Sequence, residues 1–339
     1  MSLTQEEIDL FQLTLEDIDD AHSQLDQEEI YKQEISKLYL QRDESTGKLI
    51  KPWRFEVVHG FFKQSDPNTN DLEFNYLDSD FGLHLNDWET LKSNFSELLK
   101  SVETNDKIDY KILFLSRHGQ GYHNLCVEKY GLDLWNEKYC KLANDDEITW
   151  APDPKLTEKG EAQAIINNKA WKEQILKGCP IPTAFFVSPL NRSSTTLVKT
   201  WNEIIINNNS NPQGSIPITV VEKVRETLGI HLCNQRSTKT VINNNFAKFN
   251  FKFERNFTEN DELFNVIYKD VKETLSQHCL RTEDFLQELF ENDQKSNSII
   301  NITSHAGTIR AFITALNHRR FGISTGGMIP IVVKATRVE

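Results

Sequence analysis

The chain has 339 residues, with 38 Lys plus Arg against 50 Asp plus Glu and a formal charge of −12. An acidic chain without a basic stripe is poorly suited to bind nucleic acid through phosphate contacts. No apolar run approaches the roughly 20 residues that span a bilayer, and the acidic N-terminus lacks the basic and apolar segments of a secretory signal, so neither membrane insertion nor secretion is expected.

The charge is uneven. Thirteen acidic and four basic residues fall within positions 1–50, leaving the remainder nearly neutral. Residues 1–50 read as an acidic helical extension and 51–339 as the main domain. Ile8, Phe11, Leu15 and Ile18 step by three and four and so share a helical face. Thr4-x-x-Glu7 and Thr14-x-x-Asp17 both have the form of helix N-terminal caps, which places a break near residue 13. A solvated extension laying one apolar stripe on the domain is the expectation, with Asp43–Gly47 as a linker.

Beyond it, Arg54–Phe62 has the character of a strand. Asn86-x-x-Glu89 opens a helix whose apolar face is Trp88, Leu91, Phe95, Leu98 and Leu99. From residue 108 short apolar runs alternate with amphipathic segments. The runs are 111–116, 184–188, 218–221, 299–303 and 329–333, and helices are expected at 159–177 and 193–207. Continuous apolar strands alternating with helices indicate an α/β fold, a three-layer α/β/α sandwich around a mainly parallel sheet. Residues 229–262 break the pattern, with Phe246, Phe249, Phe251, Phe253 and Phe257 in a poorly periodic stretch read as an inserted cap. Five scattered cysteines with no C-x-x-C pair read as reduced thiols, neither a disulfide framework nor a zinc site, as in an intracellular chain: cytoplasmic, with the nucleus also open.

Ligands in open α/β sheets bind at the carboxyl ends of strands. The residues that follow the runs there are Arg117-His118-Gly119, Ser188-Pro-Leu-Asn-Arg192, Arg225-Glu226 and Ser304-His305. Arg117, Arg192, His118 and His305 converging in an acidic chain make an anion pocket, and guanidinium forks fit phosphate oxygens. A neutral imidazole can attack phosphorus while a carboxylic acid such as Glu226 protonates the leaving oxygen. No metal site is implied: His118 and His123 lie five apart, and the spacing suits a helical metal pair poorly.

These residues carry a resemblance. Arg117-His118-Gly119 with Asn124, Asp153-x-x-Leu156-Thr157-x-x-Gly160, Ser188-Pro-x-x-Arg192, Glu226-x-x-Gly229 and Ser304-His305 occur in the order found in the histidine phosphatase (phosphoglycerate mutase-like) superfamily. The wording Arg117–Asn124 and the phenylalanine-rich insertion look most like its fungal phosphomutase-like proteins. The resemblance implies that His118 becomes phosphohistidine, that Arg117, Asn124, Arg192 and His305 bind the phosphoryl group, and that Glu226 is proton donor and then base. It implies no metal or organic cofactor, and a phosphorylated small molecule as substrate.

Ala306 stands between the second histidine and Gly307, and the mutases' tryptophan-containing segment is not recognisable. Both departures favour a phosphatase over a mutase. A mutase and a non-catalytic scaffold subunit remain alternatives, and oligomeric state is not legible. His123, Arg236 and Arg255 are the expected substrate contacts, and the cap composition suggests a polar, multiply anionic substrate.

Overall fold

A computed structural model describes residues 3–207, 216–292 and 297–339. The elements run α1 (Gln5–Asp9), α2 (Leu15–His22), α3 (Leu25–Leu38), β1 (Trp53–Val57), α4 (Trp88–Ser101), β2 (Ile108–Arg117), α5 (Tyr122–Tyr130), α6 (Leu132–Glu137), α7 (Glu158–Leu176), β3 (Ala184–Val187), α8 (Asn191–Thr200), β4 (Ile218–Val220), α9 (Lys239–Phe246), β5 (Phe251–Phe253), α10 (Leu275–Asn292), β6 (Ile299–Ser304), α11 (Ala306–Ala315) and β7 (Met328–Arg337). One seven-stranded sheet has the order β1-β7-β2-β6-β3-β4-β5. Its centre, from β2 through β6, β3 and β4 to β5, is parallel, while β7 and β1 run antiparallel at one edge.

Alternation along β2 explains the three layers. Ile112 and Phe114 point into a core shared with Trp88, Leu91 and Phe95 of α4 and with Ile166 and Trp171 of α7. Leu113 and Leu115 point the other way, against Phe285, Leu286 and Leu289 of α10 and Phe312 of α11. Each such aliphatic or phenyl side chain, fully withdrawn from water, contributes about 1.5–3 kcal/mol before entropy is subtracted. All five cysteines are buried and unpaired. Among the described residues no helix is long and apolar enough to cross a membrane.

Three details depart from expectation. The helix cap of α4 is Asp87, whose side chain accepts from Thr90 N at 2.7 Å, rather than Asn86. The cap region supplies a seventh strand, β5, paired in parallel with β4, and its phenylalanines join the main core at the sheet edge.

The third concerns the extension. Thr14 does cap α2, with Asp17 completing the box, but the break resets the helical phase. Phe11 is buried with the main core, whereas Leu15 is 81% exposed and Asp17 is buried in its place. Helix α3 buries Tyr31 and Ile35 against the face formed by α10. The extension is therefore part of the packed structure, and its carboxylates point inward as well as out.

Candidate active site

Four strand ends bring the expected residues together. His118 follows β2 directly, its N–H donating to Ser304 O at 3.0 Å, so β2 and β6 terminate in register. Arg192 sits in the first turn of α8, just past β3. His305 precedes α11, just past β6, and Glu226 follows the turn after β4.

The His118 ring is buried, and Nδ1 donates to Gly119 O at 2.6 Å. That contact fixes the tautomer and leaves the Nε2 lone pair free to accept from Arg192 Nε at 3.3 Å. Burial and then the charges of Arg192 and Arg117 hold the imidazole well below its usual pKa, so it is unprotonated at neutral pH. His305 and His123 flank it, with ring centroids 5.0 and 5.4 Å away. Both are also held well below the usual histidine range, by burial first and then by Arg192. His305 Nε2 meets Ser188 Oγ at 2.7 Å and Ser193 Oγ at 3.2 Å.

Arg192 is fully enclosed. Its Nη1 donates to Cys233 O at 3.0 Å and its Nη2 to Asn234 Oδ1 at 2.9 Å, leaving only Nε toward His118. Arg117 donates through Nη1 to Ile323 O at 2.6 Å and to Asp17 Oδ1 in a buried ion pair, with Nε unpartnered. Asn124 accepts from Gly121 N at 3.0 Å and turns its amide nitrogen toward Glu16.

The motif glycines have a packing reason. A Cβ on Gly119 would lie 2.3 Å from Gly160 O, and one on Gly160 would lie 2.1 Å from Gln120 O. The loop carrying His118 and the start of α7 approach backbone to backbone, which only glycine permits. Asp153 ties the same region to the cap by accepting from Asn191 N at 2.7 Å and Ser237 Oγ at 2.6 Å.

Glu226 accepts from Thr227 N at 2.7 Å and from Gly307 N at 3.4 Å. A Cβ on Gly307 would strike its carboxylate at 2.4 Å, so the glycine one place later than expected makes room for this acid. Arg225 does not pair with Glu226; it forms a two-pronged bridge to Asp261, at 2.7 Å for each bond, and a third bond to Glu222.

In front of His118 lies a cavity of about 180 Å³. Arg117, His118, His123, Asn124 and Glu226 line it, while Arg192 and His305 lie against His118 without lining it. Two expected substrate contacts are elsewhere. Arg236 is buried in the cap, bonded to Glu222 at 2.5 Å and to the carbonyls of Ser237, Thr258 and Asn260, so its donors are taken up by its own fold. Arg255 is exposed and away from the cavity.

The opposite wall was not anticipated. Glu16, Asp19 and Asp20 reach the cavity from α2, nearly a hundred residues before His118. Burial, then the neighbouring Asp20, pushes Glu16 up to about 8; burial, then Glu226, pushes Asp20 up to about 7. The sequence signal was present in the capping box at Thr14, which sets which acids of α2 turn inward. Among the described residues no group of three or more His, Cys, Asp or Glu has a metal-holding arrangement.

A model of the histidine phosphatase superfamily (branch 1) matches residues 113–326. A probable phosphoglycerate mutase of Arthroderma benhamiae is 32% identical over 293 residues, spanning 83% of this chain and 84% of that one. Phosphomutase-like protein 3 of Candida albicans is 33% identical over 285 residues, spanning 83% of this chain and 80% of that one. Among solved structures, phosphoglycerate mutase from Bacillus anthracis is similar with a TM-score of 0.40 at 15% identity, over 67% of this chain and 89% of that one.

Proposed function

This chain belongs to the histidine phosphatase superfamily, branch 1, and on that premise we propose that it hydrolyses a phosphate monoester of a small metabolite through phosphohistidine on His118. The observation that carries the reading is the unprotonated, tautomer-fixed His118, with Nε2 beside Arg192 Nε, lining one cavity together with Glu226.

In the first step His118 Nε2 forms a bond to phosphorus as the P–O bond to the alcohol breaks. Protonated Glu226 gives its proton to the leaving oxygen. Arg192 Nε–H, which otherwise meets the bare imidazole, turns to a phosphoryl oxygen, as do Arg117 and the amide of Asn124. His305 supports the phosphoryl group from behind. In the second step water attacks phosphorus, its proton passes to Glu226, and the P–N bond breaks to release phosphate.

His118→Ala is expected to lower turnover on the order of 10⁴-fold or more. Mass spectrometry of wild-type digests kept away from acid should find phosphate on His118 during turnover, and retained activity in the variant would sink the mechanism. The names of the relatives support a second reading, a phosphomutase, in which the phosphoenzyme survives to be returned to substrate. The ratio of released phosphate to phosphoryl transferred between positions of a substrate separates the two.

A further inference from the structure

The cavity has a wall that the hydrolytic steps leave unused. Glu16, Asp19 and Asp20 form it from α2, and Lys272 is the lysine among the described residues that lines it. On the opposite side, Arg117 and His123 are 2% and 8% exposed and keep Nε and Nδ1 without a partner, so the polar atoms awaiting a ligand belong to the floor. One phosphoryl group satisfies that floor. A second anion on the substrate would then meet three carboxylates, with Lys272 the lysine beside Asp20.

We infer that Glu16 and Asp20, with Asp19 at the rim, select the alcohol part of the substrate: a monoester whose phosphoryl group is its only anion and whose alcohol presents hydroxyl or ammonium donors. This rests on the phosphomonoesterase reading and narrows it. Above about pH 8, where Glu16 and Asp20 are both ionised, their carboxylate oxygens accept hydrogen bonds from such donors and repel a substrate carboxylate or second phosphate. Selection of this kind works by penalising the wrong ligand as much as by holding the right one. The cavity of about 180 Å³ falls below the roughly 300–1,000 Å³ of pockets for drug-sized ligands, so the alcohol is small. The multiply anionic substrate suggested by the cap's composition is thereby replaced, since Arg236 and Arg255 stand away from the cavity.

Matched esters test this with the full chain. Glycerol 3-phosphate differs from 3-phosphoglycerate by a hydroxymethyl in place of a carboxylate, and phosphoethanolamine differs from phosphoglycolate by an ammoniomethyl group in place of a carboxylate. Phosphate release measured at about pH 8.5, where both wall acids are mainly ionised, with p-nitrophenyl phosphate as reference ester, should give the uncharged or cationic member at least about tenfold higher kcat/KM in each pair. Glu16→Gln/Asp20→Asn should shrink that ratio at least about fivefold, mainly by lowering KM for the carboxylated esters. The wild-type ratio decides the matter even if the double variant is unstable. Turnover of the reference ester with the carboxylated members equal or preferred overturns this inference alone. A ratio unmoved in a folded double variant also overturns it. Inactivity with the reference and all four esters overturns it together with the hydrolase reading.

Discussion

The floor of the cavity carries Arg117, His118 and His123, with Arg192 and His305 against the His118 ring, whereas α2 contributes Glu16, Asp19 and Asp20 to the lining. The floor is held by the sheet: His118 N is bonded to Ser304 O, and Arg192 is fixed by the Cys233 carbonyl and Asn234. The wall is held by a helix cap, by the buried ion pair of Asp17 with Arg117, by Arg310 donating to the carbonyls of Asp20 and Ser23, and by His22 against Asp71. In the proposed reading the sheet presents the reacting groups and a separate helix presents the surface that the substrate's alcohol meets. The two are encoded about a hundred residues apart and are linked through the ion pair of Asp17 with Arg117.

The comparison breaks first at Glu226, the acid on the floor side. As the proposed proton donor, Glu226→Gln should lower kcat/KM for alkyl phosphates on the order of 10²–10⁴-fold. With p-nitrophenyl phosphate, whose leaving group needs no proton, the loss should be much smaller. Equal losses on both esters would mean that Glu226 only shapes the cavity, as the wall acids do.

Asp17 joins the two regions, and its replacement has the next largest effect. It turns Arg117 toward the floor together with the Ile323 carbonyl. Asp17→Ala leaves that guanidinium half-anchored, and a displaced binding group costs roughly 10- to 100-fold in kcat/KM. Inhibition by inorganic phosphate should weaken in parallel, a change that general destabilisation would not produce. Faster turnover and tighter phosphate binding in this variant would invert the picture and make α2 a plug on the site.

The floor was legible in the sequence and the wall was not, for a physical reason. A residue at the carboxyl end of a parallel strand has its position fixed by the strand, so Arg117, His118, Arg192, Glu226 and His305 could be placed together from order alone. Helix α2 follows no strand, and the tertiary contacts that anchor it, such as Arg310 to the Asp20 carbonyl, are not legible in its own sequence. Its facing depends on where the chain breaks between Leu10 and Thr14, and a shift of one residue rotates every side chain by about 100°. Arg236 failed for the related reason that composition shows a charge but not its partner, here Glu222.

The two regions also respond oppositely to pH. Burial depresses His118, His123 and His305, and holds His231 at about 3 and His278 and His318 at about 4. The unfolded chain takes up these protons first, so stability falls as pH drops below about 6.5, the unfolded histidine value. Glu16 and Asp20 are raised, so the stability they contribute is present at low pH and is lost as pH rises through about 7 and 8. Between about pH 7.5 and 8.5, a unit or more above the unfolded histidine value, the histidines contribute little further change. Tm of the wild type should decline over that interval, and Glu16→Gln/Asp20→Asn should flatten the decline while leaving the acid limb in place. An unchanged slope in the double variant would show that these acids ionise freely in the folded chain.

The smallest effect is the most direct check on how α2 faces. A continuous apolar stripe would put Leu15 in the core with Phe11, yet Phe11 is 5% exposed and Leu15 is 81% exposed. Leu15 stands at the first position of α2, directly after its Thr14 cap, while the next two residues, Glu16 and Asp17, turn inward. Leu15→Gln should therefore change stability by no more than about 0.5 kcal/mol, as exposed substitutions do, and leave the ester preference where it was. A loss of several degrees in Tm would mean that Leu15 is packed in solution. The helix would then be rotated, and Glu16 and Asp20 would be carried away from the cavity they are proposed to guard.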